Sequence, residues 1–442
     1  MYYPTACRDL RAPSLTKVFT VRTIHVFGWL TGALFFFYAW VLRVAPSIMI
    51  EEMMRDLAVG AALIGNLSAF YFYGYAGMQV PVGMLIDRFG PRRLMTCAAL
   101  VCAGGCVLFS QSTGYWGVAA GRFVIGASAA FSFVGAMSVA GLWFPAKRFA
   151  LLSGLAMMMG MAGGVAGQAP LRLLVDSFEW RGAVLLLATG GVLIAIAAWL
   201  SVRDRPREPR KANRMFSGLG QVTTNSQTWL IALAGLGTTA PLLGFAGLWG
   251  VPYLVSIYGL DRASAAGVTS MMFIGWGIGA PLMGWYSDHI GRRREPFIAG
   301  LFLCVAALAA IIYVPALPIG GVIALCFVCG FGGSSQIVGF AAAREHNPVA
   351  FSGTTLGFVN GMVTGAGALY QPLVGWILDL NWQGQSIGGA RVYDAGAYQY
   401  ALAVLVVGSF AGFLCTLFVR ETGCRQQAGG LDVNADPTLP AR

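Results

Sequence analysis

The sequence predicts an all-α membrane protein of twelve transmembrane helices, arranged as two pseudo-symmetric six-helix bundles. Three observations predict it. The 442 residues are 57 % hydrophobic and only 11 % charged, with a mean hydropathy of +0.69, whereas a soluble domain carries about 25 % charged residues. So much apolar surface calls for lipid as its solvent. The apolar residues gather in runs of about 20, the length a helix needs to cross a bilayer. Finally, a charged cluster, GMLIDRFGPRR at 83–93, returns as GWYSDHIGRRR 201 residues later.

The elements follow in order. A tail, 1–22, places Arg8, Arg11, Lys17 and Arg22 ahead of a long apolar run, which fits an uncleaved first span. The first bundle, 23–201, holds runs near 24–48, 61–84, 94–112, 115–140, 150–172 and 182–201. A basic linker, 202–226, separates it from the second bundle, 227–420. The runs there lie near 228–256, 264–286, 296–314, 318–343, 353–378 and 397–419. A polar tail, 421–442, follows. The 60 glycines are spread through the apolar runs, as suits closely packed membrane helices.

Charge placement supports this count. Of the Lys and Arg residues, 22 fall in the two tails and in alternate loops, and 5 fall in the opposite loops: Arg55, Arg172, Arg181, Arg262 and Arg391. Basic residues concentrate on the cytoplasmic side of spans, so both termini are expected in the cytoplasm. The net charge of +11 is a matter of topology. No basic segment alternates with aromatics, and no nucleic-acid partner is expected.

The repeated cluster carries a family resemblance. Gly83, Asp87, Arg88, Gly90, Arg92 and Arg93 follow the signature loop of the major facilitator superfamily, with Pro91 accommodated in the pattern. The second copy keeps Gly284, Asp288, Gly291, Arg292 and Arg293, with His289 in place of the first arginine. The copies lie six spans apart. The chain thus resembles that superfamily over almost its whole length. The resemblance implies a secondary transporter that alternates access around a central site and uses no ATP and no cofactor. It also implies that the repeated loop is a gate component that stabilises the outward-open state. The physical chemistry agrees: glycine permits close helix approach, and an aspartate at the membrane edge can pair with arginine or face a helix N-terminus.

Other function classes find no support. The histidines His25, His289 and His346 are scattered. No hydrolase triad, zinc-protease pattern or phosphate-binding loop occurs, so no enzyme and no metal site is expected. Cys326 and Cys329 form a C-x-x-C without a second pair, and read as small buried hydrophobes.

Ionisable residues inside spans are costly and point to function. There are two, Arg43 and Arg122. Arg122 with Gly126 also matches the family's R-x-x-x-G element, whose arginine is implicated in coupling or helix contacts. No acid lies in the middle of any span; Glu51, Glu52, Asp87 and Asp379 stand at span ends. Two arginines without an acid suggest an anionic group on the cargo. Span 5 keeps Gly160, Gly163, Gly164 and Gly167 but lacks the G-P dipeptide of the family's antiporters, which counts against drug/proton antiport. Further candidates for a cavity lining are Asn66, Tyr71, Tyr75 and Gln79 in span 2, Gln168 beside Pro170, Trp249, Tyr253, Gln336, Asn360 and Gln371.

The stretches RVAPSIM, NLSAFYFYGYAGMQ and GLWGVPYL are similar to carriers of organic anions and to the branch of the lysosomal dipeptide carrier. Three functions follow as expectations. The first is uptake of a small carboxylate-bearing solute, an organic anion or a short peptide. The second is export of drugs or metabolites, and the third is a non-transporting sensor. The expected setting is a monomer in a bacterial inner membrane, with a coupling proton as a further partner.

Overall fold

The computed structural model describes residues 23–204 and 220–427. The N-terminal tail, most of the basic linker and residues 428–442 lie outside the described residues, as do the side chains of Asp87 and Lys147. The described chain is almost entirely helical, as the composition requires: only helices and closed barrels satisfy their own backbone in lipid.

The first half contains seven helices. They are α1 (Thr23–Val44), the short α2 (Ile50–Leu57), α3 (Ala61–Phe89), α4 (Pro91–Gln111), α5 (Tyr115–Trp143), α6 (Ala146–Ala166) and α7 (Ala169–Ser201). Pro46 ends α1 by turning the chain into a 3-10 segment, Ala45–Ile48. Pro91 opens α4 at its first turn, where its missing N–H costs nothing.

The second half holds α8 (Ser226–Ala240), which runs through a π-helical stretch, Pro241–Trp249, into α9 (Gly250–Tyr258). Then come α10 (Arg262–Ile290), α11 (Arg294–Tyr313), α12 (Ile319–Gly333), α13 (Gln336–Glu345), α14 (Ser352–Leu380) and α15 (Ala395–Leu417). A two-residue hairpin, β1 (Ser386–Ile387) with β2 (Ala390–Arg391), joins the last two helices.

Every expected apolar run lies on helix, but three runs are interrupted. The run at 150–172 breaks at Gly167–Gln168, and helix α7 is itself kinked at Glu179 (φ 58°). The run at 318–343 breaks at Ser334–Ser335. The run at 228–256 widens into the π stretch. Glycine and serine explain the breaks: both weaken a helix and offer the backbone alternatives. Among the described residues, nine helical stretches are long and apolar enough to cross a membrane, and a tenth if the bent α2–α3 pair is one span. The apolar part of α6, Leu151–Ala166, is shorter. Leu151, Leu173, Leu193, Trp285 and Val407 are each more than 60 % exposed, forming an apolar exterior suited to lipid.

The two halves repeat each other in packing as well as in sequence. A Cβ on Gly126 would strike the carbonyl of Tyr71; a Cβ on Gly330 would strike that of Met272. Gly74 meets Phe123 as Gly275 meets Phe327. The partners on α3 and α10 are 201 residues apart and those on α5 and α12 are 204 apart. The same helix crossing is therefore built twice, each time on glycines that let backbones touch. Between the halves, α3 packs on α14 through Gly65 against Gln371 and Gly367 against Phe72, and α6 meets α10 through Gly164 against Phe273.

Candidate functional site

Pro46 leaves the last carbonyls of α1 without helical partners. Arg122, 2 % exposed on α5, supplies them: Nη1 donates to Leu42 O at 2.6 Å and Nη2 to Arg43 O at 3.2 Å. A guanidinium at the negative end of a helix is stabilised there. Arg122 is therefore engaged in holding the end of α1, the turn that carries Arg43.

Arg43 is 6 % exposed. Its guanidinium carbon lies 4.1 Å from the ring centre of Trp40, 4.8 Å from Tyr75, 5.3 Å from Tyr71 and 5.9 Å from Phe72. These distances are in the cation–π range. Tyr71 and Tyr75, one turn apart on α3, stack with centroids 6.0 Å apart. The Tyr71 hydroxyl donates to Ala39 O at 3.1 Å, tying α3 to α1. The cage reaches the other half, since Trp40 meets Phe273 edge-on at 6.1 Å and Phe72 abuts Gly367. Among the described residues no carboxylate pairs with Arg43 or Arg122. Arg43 Nε, Arg122 Nε and Trp40 Nε1 are buried without a hydrogen-bond partner. The site is thus a group of unused donors around a buried cation, an arrangement that suits an acceptor-only anion.

The remaining candidates scatter. Asn66 bonds Tyr115 and Tyr73, on a different face of α3 from Tyr71 and Tyr75, so the polar residues of that span do not form one lining. Gln79 bonds Asn360 across the two halves at 3.4 Å. Gln168 and Gln371 occupy matching places and donate to the π stretch, to Ala246 O at 2.7 Å and Leu243 O at 2.8 Å. Trp249 donates to Gln371 O at 3.0 Å. Tyr253 bonds Ile311 O inside the second half, and Gln336 accepts from Thr238 there.

The repeated clusters sit at one end of the bundle. In the first copy, Asp204 accepts from Arg92 N at 3.0 Å and Arg92 stacks 4.2 Å over Trp199. In the second, Glu421 accepts from Arg293 N and Arg294 N, both at 2.8 Å. Each copy is thus the start of a helix capped by an acid that follows the last helix of its own half. Arg293 also pairs with Asp288 at 2.5 Å and Glu345 at 2.9 Å. Gly90 (φ 82°) and Gly291 (φ 66°) take left-handed turns that favour glycine. Arg88 covers Phe89, Arg292 pairs with Glu295, and Arg93 is exposed. Close helix approach at Gly83 is not seen: a Cβ there would meet nothing within 4 Å, and one on Gly284 only Ile337 at 4.0 Å. The helix ends are apart at these points in this conformation.

The opposite end carries contacts that sequence reasoning had not assembled. Arg262 of the second half pairs with both Glu51 and Glu52 of the first, and Glu52 also binds Arg172 at 2.8 Å. Asp379, held by Arg391 and Tyr393, caps the start of α3 by accepting from Ala61 N at 3.1 Å and Ala62 N at 2.9 Å. Trp40 and Phe72 were also missed. Their spacing to Arg43 and Tyr71 was the available signal.

Comparison with known proteins fits this geometry. The family model described as Major Facilitator Superfamily matches residues 29–369 and 243–433. The chain is 24 % identical to the "Probable galactarate/D-glucarate transporter GudP" of Bacillus subtilis, over 83 % of this chain and 88 % of that protein. It is 24 % identical to the "Gentisate transporter" of Corynebacterium glutamicum, over 80 % and 82 %. A solved structure of a bacterial homologue of the human lysosomal transporter Spinster, inward-facing and unoccupied, aligns with TM-score 0.74 at 16 % identity, covering 90 % of this chain and 98 % of that one. The chain belongs to the Major Facilitator Superfamily and is a multi-pass membrane transporter, not an enzyme.

Proposed function

We propose that the protein carries a small organic carboxylate across a bacterial inner membrane by alternating access between two six-helix halves, with twelve crossings and both termini in the cytoplasm. The observation that carries the reading is Arg43: a buried cation with no acid partner, caged by aromatic rings and set beside unused N–H donors. A lone charge in this setting is costly unless a mobile anion completes it. The names of the relatives, carriers of galactarate or glucarate and of gentisate, support an organic acid over a peptide or a cationic drug.

In this orientation the Glu51/Glu52–Arg262 pairs and the Asp379 cap lie on the outer side and close it, while the loosely packed Gly83 and Gly284 lie on the cytoplasmic side. The repeated clusters then work as gate components that tighten when the cytoplasmic side closes. The test is a thermal-shift screen of purified protein against carboxylates, sugars and lipophilic cations. A ligand bound only by the native state raises stability by RT ln(1 + [L]/Kd), about 2.7 kcal/mol at a hundredfold excess over Kd. Shifts with carboxylates that vanish in Arg43→Gln are expected; shifts with lipophilic cations alone overturn the reading.

A further inference from the structure

We infer that the anion taken at Arg43 is a monocarboxylate with a flat, largely apolar body, such as an aromatic acid, and not a polyhydroxylated dicarboxylate. The inference rests on the carboxylate reading above and narrows it.

The number of carboxylates follows from the cations. Arg122 spends both terminal nitrogens on the carbonyls of Leu42 and Arg43. Arg43 spends none on a carboxylate or a backbone carbonyl: its guanidinium meets the Tyr71 and Tyr75 hydroxyls, and among the described residues it is the buried arginine with neither an acid nor a carbonyl partner. One open guanidinium matches one carboxylate. A second carboxylate on the same solute finds no second cation and meets aromatic carbon.

The body of the solute follows from the wall. Trp40, Tyr71, Phe72 and Tyr75 stand within 6 Å of the guanidinium, and Phe273 continues the aromatic surface onto the other half. Rings of this kind gain by stacking or edge contact with another ring, about 0.5–1.5 kcal/mol per pair beyond area burial.

The hydroxyl content follows from the hydrogen bonds. A polyol needs a row of free donors and acceptors, since each hydroxyl left unpaired in a buried site costs about 1–3 kcal/mol. The interface does not offer that row. Ser47 donates to Val44 O, Gln168 to Ala246 O, Thr239 to Val363 O, Thr269 to Ala266 O and Gln371 to Leu243 O. The unpartnered groups on Arg43, Arg122 and Trp40 are all donors, and Ser68, one turn from Tyr71 and Phe72 on α3, adds a single hydroxyl. A free acceptor, Gln371 Oε1, lies one turn along α14 from the Gly367 that Phe72 abuts. It can take one hydroxyl on a flat body, but not a chain of them.

The experiment is equilibrium binding to the full-length protein in lipid nanodiscs, with benzoate, 2,5-dihydroxybenzoate, lactate, tartrate and galactarate as probes. Each is measured on the wild type, Arg43→Lys, Arg43→Gln, Trp40→Leu and Tyr75→Phe. The aromatic acids are expected to bind roughly tenfold more tightly than tartrate or galactarate, a gap of about 1.4 kcal/mol. Trp40→Leu is expected to narrow that ratio while lactate affinity changes little, and Arg43→Gln to weaken every carboxylate. Should Arg43→Gln fail to fold, Arg43→Lys and the wild-type ranking carry the test. Tartrate or galactarate binding as tightly as benzoate, still dependent on Arg43, overturns this inference and leaves the carboxylate reading standing. Absence of Arg43-dependent binding by any carboxylate overturns both.

Discussion

Arg43 and Arg122 look alike in the sequence, as two cations in two apolar runs, yet the structure gives them different work. Arg122 closes the end of α1 and sets the position of Arg43; Arg43 faces the aromatic cage with no acid partner and its Nε unused. Arg122→Ala leaves two buried carbonyls unpaired, a loss on the order of 3 kcal/mol. The melting temperature is expected to fall, and carboxylate affinity to fall with it because Arg43 is no longer held. Arg43→Gln is expected to remove anion binding while the melting temperature of the empty protein holds or rises, since an unpaired buried charge is lost. Equal melting behaviour in the two variants would show that the division of labour is wrong. Both arginines were legible in sequence because charge inside a span is rare. Of their aromatic neighbours, Tyr71 and Tyr75 were legible too, but Trp40 and Phe72 were not, since they read like any ring in an apolar helix. Gln168 and Gln371 were read as cavity residues because amides in lipid invite it. The carbonyls of the π stretch, which no sequence pattern announced, take up their donors.

At the scale of elements, glycine separates tight helix contacts from open ones. Gly126 and Gly330 sit against the backbone of the neighbouring helix, so Gly126→Ala or Gly330→Ala forces the helices apart and is expected to destabilise by about 1–3 kcal/mol. Gly83 has open space around it. Gly83→Ala is therefore expected to leave stability unchanged or to raise it by up to about 1 kcal/mol. If the clusters are gates, the same substitution slows transport, because the alternate state brings α3 into close contact there. Normal turnover in liposomes together with normal stability would remove Gly83 from the gate. The caps make a second test. Burial opposes ionisation of Glu421, but N–H groups of Arg293, Gly423, Arg294 and Thr422 outweigh it and hold the carboxyl below its ordinary value of 4.5. A depressed carboxylate stabilises above the unfolded value and loses that contribution as pH falls through the folded one. Melting temperatures measured from pH 6 downward are expected to fall less steeply below about pH 4.5 in Glu421→Gln than in the wild type. The paired clusters were visible in sequence, but the acids that cap them were not, because Asp204 and Glu421 lie 112 and 128 positions away along the chain.

Across the whole molecule, the halves share a scaffold but not a charge. The repeat places Cys326 where the first half has Arg122, and among the described residues the second half has no buried arginine within its spans. Among the described residues, the buried arginines within spans therefore all lie in the first half. The tie between the halves at the hairpin end runs through Arg262, Glu51 and Glu52. Arg262→Gln is expected to loosen that end, seen as a longer distance between spin labels on α2 and on the start of α10. An unchanged distance distribution would mean that the Asp379 cap alone holds the end shut. The multi-pass helical plan and its internal repeat were readable from run length and the repeated cluster, since each depends on local composition. Which surfaces meet between the halves was not, because contacts such as Glu52 with Arg262 join residues some two hundred positions apart.

The unneutralised guanidinium of Arg43 also has an electrical consequence. Seating a monoanion changes the charge of the central site by one unit, so the loaded and empty carriers cannot both be indifferent to membrane voltage. Moving one unit of charge through the full field is worth about 2.3 kcal/mol per 100 mV, enough to change a rate severalfold even when only part of the field is crossed. On the proposed carboxylate reading, and with no cation moving alongside the solute, one half of the transport cycle is voltage-dependent and the other nearly silent. Charge movements recorded on solid-supported membranes, with and without a saturating carboxylate, would reveal which.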